Sequence, residues 1–600
     1  MSELKERKEM DPAYEWDLST LYANDEAFEK ALKEVDAQME GAASYAGRLK
    51  DSAAVLAYLK ANTALTLEMN NLFTYASLRR TEDTRDANGQ SMYGRAYAKY
   101  VQASAATAFA EPEILSLEEG TLQQIIADPL LQEYHFYLED LLRSKAHTLS
   151  AKEESLLAQF GEVLANPGQV SDTLMDADMV FEPAKDSQGN EHEVSGSSFI
   201  LLQNSLDRTL RENAFHSFYK GYRQHINTFA ATYSGCVKGA VAEARVRHYP
   251  SSRAMSMAAD NIPVSVYDNL IDTVHKRMDL MYRYVHLRKR ILGLDELHYY
   301  DVYAPLVQKI TKTYTYEEAQ QMVLKAVAPL GKEYVERVQK AYETHWIDVY
   351  PNKGKGGGAF SSGTYTSNPF IMTNFTGTLD SVSTLAHEMG HSQHSWLTNH
   401  TQPAQYSDYS LFVAEVASTV NENLLIEQLL QEEKDPQNRL ALLNQYLEGF
   451  KGTVYRQTMF AEFEKESHAM AERGESLDPK TLNALYERLV KLYFGEELAM
   501  DEEVQYEWAR IPHFYYVFYV YVYATGYSSA TALSEGILKE GASAVKKYLE
   551  FLSMGSSAYP LEELKHAGVD LTTPAPIDIA LDKFEKVLEE AEKTADVLGL

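Results

Sequence analysis

Apolar residues recur at helical spacing through most of this 600-residue chain, and this repeat restricts it to a mainly α-helical fold. Six helices are predicted before residue 166, at 26–39, 53–79, 91–109, 117–126, 132–144 and 153–165. Pro167 and Gly168 should end the last of them, because proline lacks the amide hydrogen that a helix interior needs. A chain of this length exceeds what one hydrophobic core usually serves, so we expect two or three domains, or one helical body with a subdivided core.

The first break in the helical pattern lies between residues 176 and 198. Two short stretches, 179–181 and 191–194, flank a Gly189-Asn190 turn and predict a β-hairpin. We place a domain boundary there, which gives an N-terminal helical region at 1–199 and a main region at 200–600. Helices are predicted again at 199–220, 228–246 and 264–292, and a capping box from Thr315 to Glu318 opens one that runs to residue 342.

The second break lies between residues 351 and 375. Residues 351–358 are rich in glycine, and 369–375 has the composition of a short strand. The glycines are not followed by the Lys-Ser or Lys-Thr pair of a phosphate-binding loop, so we expect a flexible loop or hinge. The rest of the chain, as far as Leu600, is predicted to be helical.

Charge and cysteine content exclude several classes of protein. The net charge of −31 would repel a phosphate backbone, so nucleic-acid binding is not expected, and it favours either plain solubility or cationic peptide ligands. Cys236 is the only cysteine, which excludes an intrachain disulfide and a cysteine-based metal cluster. The charged N-terminus has no signal-peptide core, and the most apolar stretch, 513–524, is too short to span a membrane. We therefore expect a cytoplasmic protein without a membrane partner.

The most informative motif is His387-Glu388-Met389-Gly390-His391 on a predicted helix. Residues four apart share one helix face, so His387 and His391 can offer two imidazoles to one zinc ion. Glu388 lies beside the first histidine, where it can reach a water molecule next to the metal. The motif specifies only three positions and can therefore arise by chance. A helix with two incidental surface histidines remains the alternative.

A third ligand is expected because catalytic zinc takes three protein ligands and leaves one position open. Glu415 lies in an apolar helix, among Val413 and Val416, where a carboxylate needs a partner to offset its desolvation. Glu422, two turns later, either orients a ligand histidine or is an ordinary surface acid. His394 is rotated off the metal face, so it is expected to contact substrate or to form a hydrogen bond in the core.

The second candidate site is the tyrosine-rich block at 510–527. A tetrahedral intermediate formed beside zinc carries an oxyanion, which histidine and tyrosine donors can stabilise. His513 and one or two tyrosines are the candidates, while most of the rings, at helical spacing, are expected to pack in the core.

These motifs resemble the thimet oligopeptidase family of zinc peptidases, and most closely its oligoendopeptidase F branch. The resemblance runs through most of the chain. The segments that carry it are 17–22, 261–263, 266–271, 356–360, 369–375, 385–394, 415–423 and 513–527.

The resemblance implies a mainly α fold: a two-part helical clamshell around a deep substrate channel, with a small β element near the metal helix. It implies one Zn²⁺ ion, with Glu415 as the third ligand, and oligopeptide substrates. The strand at 369–375 would bind the substrate main chain. His513, Tyr516 and Tyr523 are the matching positions for the groups that assist the oxyanion.

The function expected from residues and resemblance together is a zinc metalloendopeptidase that cuts short unfolded oligopeptides, with Glu388 as general base. A zinc carboxypeptidase or dipeptidyl-carboxypeptidase is the alternative within enzymes, since the same motif serves exopeptidases. A non-catalytic peptide-binding protein is the alternative outside them, although a binder would have no use for Glu388.

Overall fold

The computed structural model describes residues 4–307 and 312–600. Helices account for 71% of the chain and strands for 3%, which confirms the prediction of a mainly helical fold with small β elements. The chain divides into two compact units, each assembled from three separate stretches of sequence. Unit 1 comprises Met1–Ala146, Thr311–Gln428 and Leu533–Gly568, and unit 2 comprises His147–Ile310, Leu429–Ala532 and Val569–Leu600.

Unit 1 begins with three long helices whose first turns are capped by side chains. Asn24, Asp51 and Asp86 each accept hydrogen bonds from backbone amides of the following turn. The helices of unit 1 are α1 (Asp25–Ala43), α2 (Ser52–Glu82), α3 (Ala87–Thr107), α4 (Ala110–Leu115), α5 (Glu119–Ile126), α6 (His135–Ser144), α14 (Tyr316–Ala326), α15 (Lys332–Glu343), α16 (Leu379–Thr401), most of α17 (Leu411–Glu432), the end of α21 (Tyr521–Glu540), α22 (Ala542–Phe551) and α23 (Pro560–Ala567).

Unit 2 is built around one helix of 39 residues, α10, whose apolar face is buried along its whole length. Asp207 caps its first turn. The helices of unit 2 are α7 (Ala151–Gln159), α8 (Gly161–Thr173), α9 (Phe199–Gln203), α10 (Arg208–Val246), α11 (Ser252–Ala258), α12 (Val264–His275), α13 (Met278–Leu292), α18 (Pro436–Phe450), α19 (Arg456–Glu472), α20 (Pro479–Phe494) and α24 (Ala575–Leu598), together with the start of α21.

The strands of the described residues are short and form three small sheets. In unit 2, β1 (Ala184–Lys185) pairs antiparallel with β2 (Glu191–His192), and β3 (Leu297–His298) pairs parallel with β7 (Leu498–Ala499). In unit 1, β4 (Ile347–Asp348), β5 (Phe360–Ser362) and β6 (Phe370–Met372) form one sheet in the order β4-β6-β5. β6 is parallel to β4 and antiparallel to β5.

The three-stranded sheet of unit 1 lies between two layers of helix. Phe370 and Met372 of β6 are buried in the same core cluster as residues of α1, α2 and α3, and Phe360 packs against that cluster. Side chains alternate along a strand, so Ser361 points the other way, and its hydroxyl lies 2.8 Å from that of Ser392 on α16. The sheet thus ties α16 to the N-terminal helices of this unit.

Several predicted elements are present with altered limits. The hairpin and the Thr315–Glu318 capping box are confirmed, although the first hairpin strand begins at Ala184 rather than at residue 179. Pro167 does not end a helix: it lies inside α8, where its ring packs against Gly235 of α10. Tertiary packing there outweighs the cost of the missing hydrogen bond.

The glycine-rich loop is held from several sides within unit 1. The Gly354 carbonyl accepts the Thr84 amide at 2.7 Å, and the Asn374 side chain donates to the Gly356 and Gly358 carbonyls at 2.9 and 3.0 Å. The buried ammonium of Lys355 donates to the Thr373 carbonyl at 2.6 Å. These bonds do not support the expected flexible hinge. The boundary predicted at residue 199 remains a prediction, and no helix among the described residues is long and apolar enough to cross a membrane.

Candidate metal centre and active site

The predicted metal ligands come together on two adjacent helices of unit 1. His387 and His391 lie one turn apart on α16, and their Nε2 atoms are 3.2 Å from each other. Glu415 Oε2, from α17, lies 3.4 Å from Nε2 of His387 and 3.5 Å from that of His391. The three side chains therefore offer two nitrogens and one oxygen at the corners of a nearly equilateral triangle.

This triangle has the dimensions of one face of a zinc coordination tetrahedron. Bonds of about 2.0–2.1 Å to nitrogen or carboxylate oxygen give tetrahedral edges of about 3.3–3.4 Å. The observed edges of 3.2, 3.4 and 3.5 Å bracket that value. Two imidazoles and one carboxylate are also a donor set of catalytic zinc sites, in which the fourth position stays open. The residues present fit a zinc ion.

Close packing of α16 on α17 brings the glutamate within reach of the histidines. A Cβ at Gly390, between the two histidines, would lie 2.6 Å from both the Ala417 carbonyl oxygen and the Ser418 Cα, so only glycine permits this contact. The Asn421 amide donates to the Ala386 carbonyl at 3.0 Å and accepts from the Tyr334 hydroxyl at 3.1 Å. These buried contacts fix the spacing between the helices.

A side chain caps the first turn of α16, the helix that carries the two histidines. Thr378 caps α16 by accepting from the Ser381 amide, so the cap lies slightly before the predicted Asp380 or Ser381. Leu385 and Met389 are fully buried, as the helical pattern predicted. The opposite face carries the two histidines.

Carboxylates surround the two histidines and give the site a negative potential. Glu422 Oε1 lies 3.4 Å from Nδ1 of His387, the nitrogen that faces away from Glu415. Burial disfavours a charged His387, but the hydrogen bond and charge of Glu422, together with the charges of Glu388 and Glu415, raise the pKa of His387 to about 9. The same potential favours a divalent cation.

Glu415 and Glu388 have opposite electrostatic environments. Burial raises the pKa of Glu415, but the hydrogen bond and charge of His391, with His387 and the Ser418 hydroxyl, lower it to about 2. Glu388 is 6% exposed, and burial raises its pKa although the two histidines oppose that shift. Glu415 is thus held as an anion, whereas Glu388 is poised to take up a proton.

Glu415 is only partly buried, although the sequence predicted a carboxylate enclosed by apolar side chains. Its neighbours Val413 and Val416 are fully buried, but the Glu415 side chain itself is 46% exposed and leaves the core on the side of the histidines. Its desolvation is therefore partial rather than complete.

His394 is a core residue. Its ring is 1% exposed, stacks on Tyr409 with centroids 3.7 Å apart and lies against Phe551. Burial lowers the pKa of His394 to about 3, so the ring is neutral. The expected substrate contact is excluded by this burial, and the interaction is aromatic packing: Nδ1 of His394 has no hydrogen-bond partner among the described residues.

The strand expected to bind substrate main chain is paired on both sides. Phe370–Met372 forms β6, the central strand between β4 and β5, so its backbone groups are already in ladders. Among the described residues, β5 is the edge strand on the α16 side of this sheet. A peptide that adds to the sheet there would pair with Phe360–Ser362.

The tyrosine block lies in unit 2 and is not one continuous helix. A short 3₁₀ turn at Pro512–Tyr515 is followed by a turn in which Phe518 has a φ of 56°, and α21 begins only at Tyr521. Across this turn the Tyr523 hydroxyl lies 3.3 Å from Nε2 of His513. The Tyr516 side chain is 66% exposed.

The packing interpretation holds for other rings of the block. Tyr515 bonds the Thr232 hydroxyl at 2.8 Å, and Tyr521 is 3% exposed against Tyr267. Sequence reasoning missed Asn421, which joins α17 to α16, and Tyr334 of α15, which holds the Asn421 side chain. The glycine within the metal helix was the one available signal for their close contact.

Comparison with known proteins agrees with this geometry. Peptidase family M3 matches residues 201–583, and an N-terminal family described as Oligopeptidase F matches residues 113–181. Oligopeptidase PepF of Bacillus subtilis (strain 168) is 46% identical over 594 residues, which cover 99% of this chain and 89% of that protein.

Two further relatives also match this chain over nearly its full length. Group B oligopeptidase PepB of Streptococcus agalactiae is 42% identical over 98% of both chains. The crystal structure of oligoendopeptidase-F from Enterococcus faecium is 36% identical, with a TM-score of 0.74 over 95% of this chain and 99% of that one. The chain belongs to peptidase family M3, in its oligoendopeptidase F branch.

Proposed function

We propose that this protein is a zinc endopeptidase that hydrolyses internal bonds of short unfolded peptides. The observation that carries the proposal is the triangle of His387, His391 and Glu415, which matches a zinc coordination face, with Glu388 buried next to it. Membership of a peptidase family supports the class of reaction. The names of the relatives, oligopeptidase and oligoendopeptidase, support peptide substrates and internal cleavage.

His387, His391 and Glu415 would hold the ion, and Glu422 would orient the His387 ring through Nδ1. When bound, zinc supplies Lewis-acid chemistry, activating water and polarising the scissile carbonyl. Glu388 would take a proton from the attacking water and pass it to the leaving amine nitrogen. Its raised pKa supports this role, because a carboxyl that retains the proton can deliver it.

The substrate main chain is proposed to add to the edge of β5, at Phe360–Ser362. Support comes from the position of this strand at the edge of the sheet and from the 2.8 Å contact of Ser361 with Ser392, one residue after His391. Main-chain pairing accepts any sequence, as an oligopeptidase requires.

His513 and Tyr523 are proposed to donate hydrogen bonds to the oxyanion, as the family resemblance implies, with Tyr516 as a further candidate. Support comes from the 3.3 Å contact between the Tyr523 hydroxyl and the His513 ring. Burial lowers the pKa of His513, so its ring is neutral near pH 7 and can donate through one nitrogen. The exposed Tyr516 hydroxyl could act only if substrate covers it.

Mass spectrometry of products from a mixed pool of short peptides tests the proposal. Internal cuts are expected, with none from the Glu388→Gln variant as a control for contaminating peptidases. Stepwise removal of C-terminal residues or dipeptides would instead identify an exopeptidase. Binding without products would identify a peptide-binding protein.

A further inference from the structure

Glu464 of α19 is a buried acid that the proposed reaction does not use. The residue is 0% exposed, and no lysine or arginine of the described chain contributes to its electrostatic environment. Burial raises the pKa of Glu464 well above its usual range, which favours the neutral carboxyl. A buried polar group of this kind destabilises a fold unless a hydrogen bond compensates for it.

The hydrogen bond that Glu464 makes is to the turn between His513 and Tyr523. Its Oε1 accepts the backbone amide of Phe518 at 2.9 Å, in a fully buried contact. Its other oxygen, Oε2, has no hydrogen-bond partner among the described residues. The interaction of this carboxyl is therefore with one amide of the turn.

That amide belongs to a strained residue. Phe518 has a φ of 56°, a left-handed conformation that a bulky side chain adopts only when its surroundings impose it. The Phe518 ring is 2% exposed and is wedged between Tyr267 and His468, with centroids 5.7 and 4.5 Å away. The preceding residue is also held, because the Ser256 hydroxyl donates to the Val517 carbonyl at 2.9 Å.

The turn determines how the two proposed oxyanion donors face each other. His513 precedes it in the 3₁₀ turn, and Tyr523 follows it in the first turn of α21. The chain must reverse at Phe518 for the Tyr523 hydroxyl to come within 3.3 Å of the His513 ring. A different φ at Phe518 would change the relative direction of the chain on the two sides of the turn, and with it the orientation of the two side chains.

We propose that Glu464 is a positioning residue: by holding the Phe518 amide it maintains the strained turn that sets the Tyr523 hydroxyl against His513. Ser256 assists by holding the Val517 carbonyl. The inference rests on the proposed role of His513 and Tyr523 in oxyanion stabilisation. In this way Glu464, a buried acid far in sequence from the metal helix, affects turnover.

Steady-state kinetics of Glu464 variants on a quenched peptide test the inference. Glu464→Gln keeps an oxygen acceptor in nearly the same shape and should retain kcat. Glu464→Leu removes the acceptor and should lower kcat about tenfold or more, but not below the kcat expected for Tyr523→Phe. KM and zinc content should be unchanged. Ser467→Ala is the matched control: it removes a buried hydrogen bond to Tyr233 from the same helix, at 2.7 Å, and should lower Tm but not kcat.

A double-mutant cycle separates positioning from stability. Glu464→Leu should have no further effect on kcat in a Tyr523→Phe background, because the group that it positions is already gone. Additive losses would overturn the inference. Should Glu464→Leu not fold, Ser256→Ala replaces it, because Ser256 holds the carbonyl of the same Val517–Phe518 peptide group. A smaller fall in kcat is then expected, and an unchanged kcat would count against the proposal.

Two outcomes distinguish the inference from the function on which it rests. If Tyr523→Phe lowers kcat and Glu464→Leu does not, Glu464 is only a core residue and the inference alone fails. If Tyr523→Phe leaves kcat unchanged, the oxyanion assignment fails and the inference falls with it.

Discussion

Replacing Gly390 by alanine should weaken the metal site without touching a ligand. The added Cβ would lie 2.6 Å from the Ala417 carbonyl oxygen and from the Ser418 Cα on α17. Carbon atoms pack at about 3.5–4.0 Å, so the two helices must separate by roughly 1 Å. Both contacts are with backbone, so no side chain can rotate away to relieve them.

The separation would act directly on the ligand geometry. Glu415 lies on the same helix as Ser418, only one turn earlier, and its Oε2 accepts a hydrogen bond from the Ser418 hydroxyl at 2.9 Å. A shift of roughly 1 Å would stretch the two edges from Glu415 to the histidines well beyond the roughly 3.3–3.4 Å that a zinc tetrahedron requires. We expect zinc affinity to fall at least tenfold, and the free energy of unfolding to fall by about 1–3 kcal/mol from overpacking.

Competition with a chromogenic chelator measures the zinc affinity, and activity should fall in parallel at limiting zinc. Gly94→Ala is the matched control, because Gly94 lies inside α3 with nothing within 4 Å of its added Cβ. That change should leave zinc affinity unaltered and raise stability by about 0.5–1 kcal/mol. Parental zinc affinity in Gly390→Ala would refute the claim that helix spacing sets the ligand geometry.

Two further predictions concern groups around the ligands. Glu422→Ala removes the carboxylate 3.4 Å from Nδ1 of His387 and should lower zinc affinity about 10–100-fold, measured by the same competition; unchanged affinity would make Glu422 an ordinary surface acid. Tyr523→Phe should lower kcat about 10²-fold, as for loss of an oxyanion donor, with little change in Tm. Tyr515 lies in the same block, and Tyr515→Phe removes its hydrogen bond to Thr232, so this variant should lower Tm and spare kcat. A loss of kcat in Tyr515→Phe and a loss of Tm alone in Tyr523→Phe would reverse the two assignments.

The sequence was most informative about features that depend on residues close together in the chain. The spacing of His387 and His391 follows from 3.6 residues per turn, and Thr315 with Glu318 forms a capping box through contacts within one turn. Such features need no knowledge of the rest of the fold. The hairpin at Gly189 was recovered for the same reason. Helix limits were less accurate: the predicted helices 199–220 and 228–246 are mostly one helix, α10, and the predicted helix 264–292 is divided into α12 and α13.

Features that depend on packing were out of reach. Pro167 continues a helix because Gly235 of α10 leaves room for its ring. The tyrosine block turns at Phe518, where no adjacent glycine or proline indicates a turn. Each unit also combines three distant stretches, and no pattern in the linear sequence indicates that grouping. Glu415 was selected as a buried carboxylate, whereas its side chain is only partly buried, with 46% exposed.

The central claim, that Glu415 holds the metal while Glu388 moves a proton, is tested most directly by comparing two variants for zinc and turnover. Elemental analysis should find one zinc ion per chain in Glu388→Gln and little in Glu415→Ala. Turnover should fall by about 10²–10⁴-fold or more in the first, the range of general-base catalysis, and should be lost with the metal in the second. Equal zinc loss in both variants, or normal turnover in Glu388→Gln, would contradict the account.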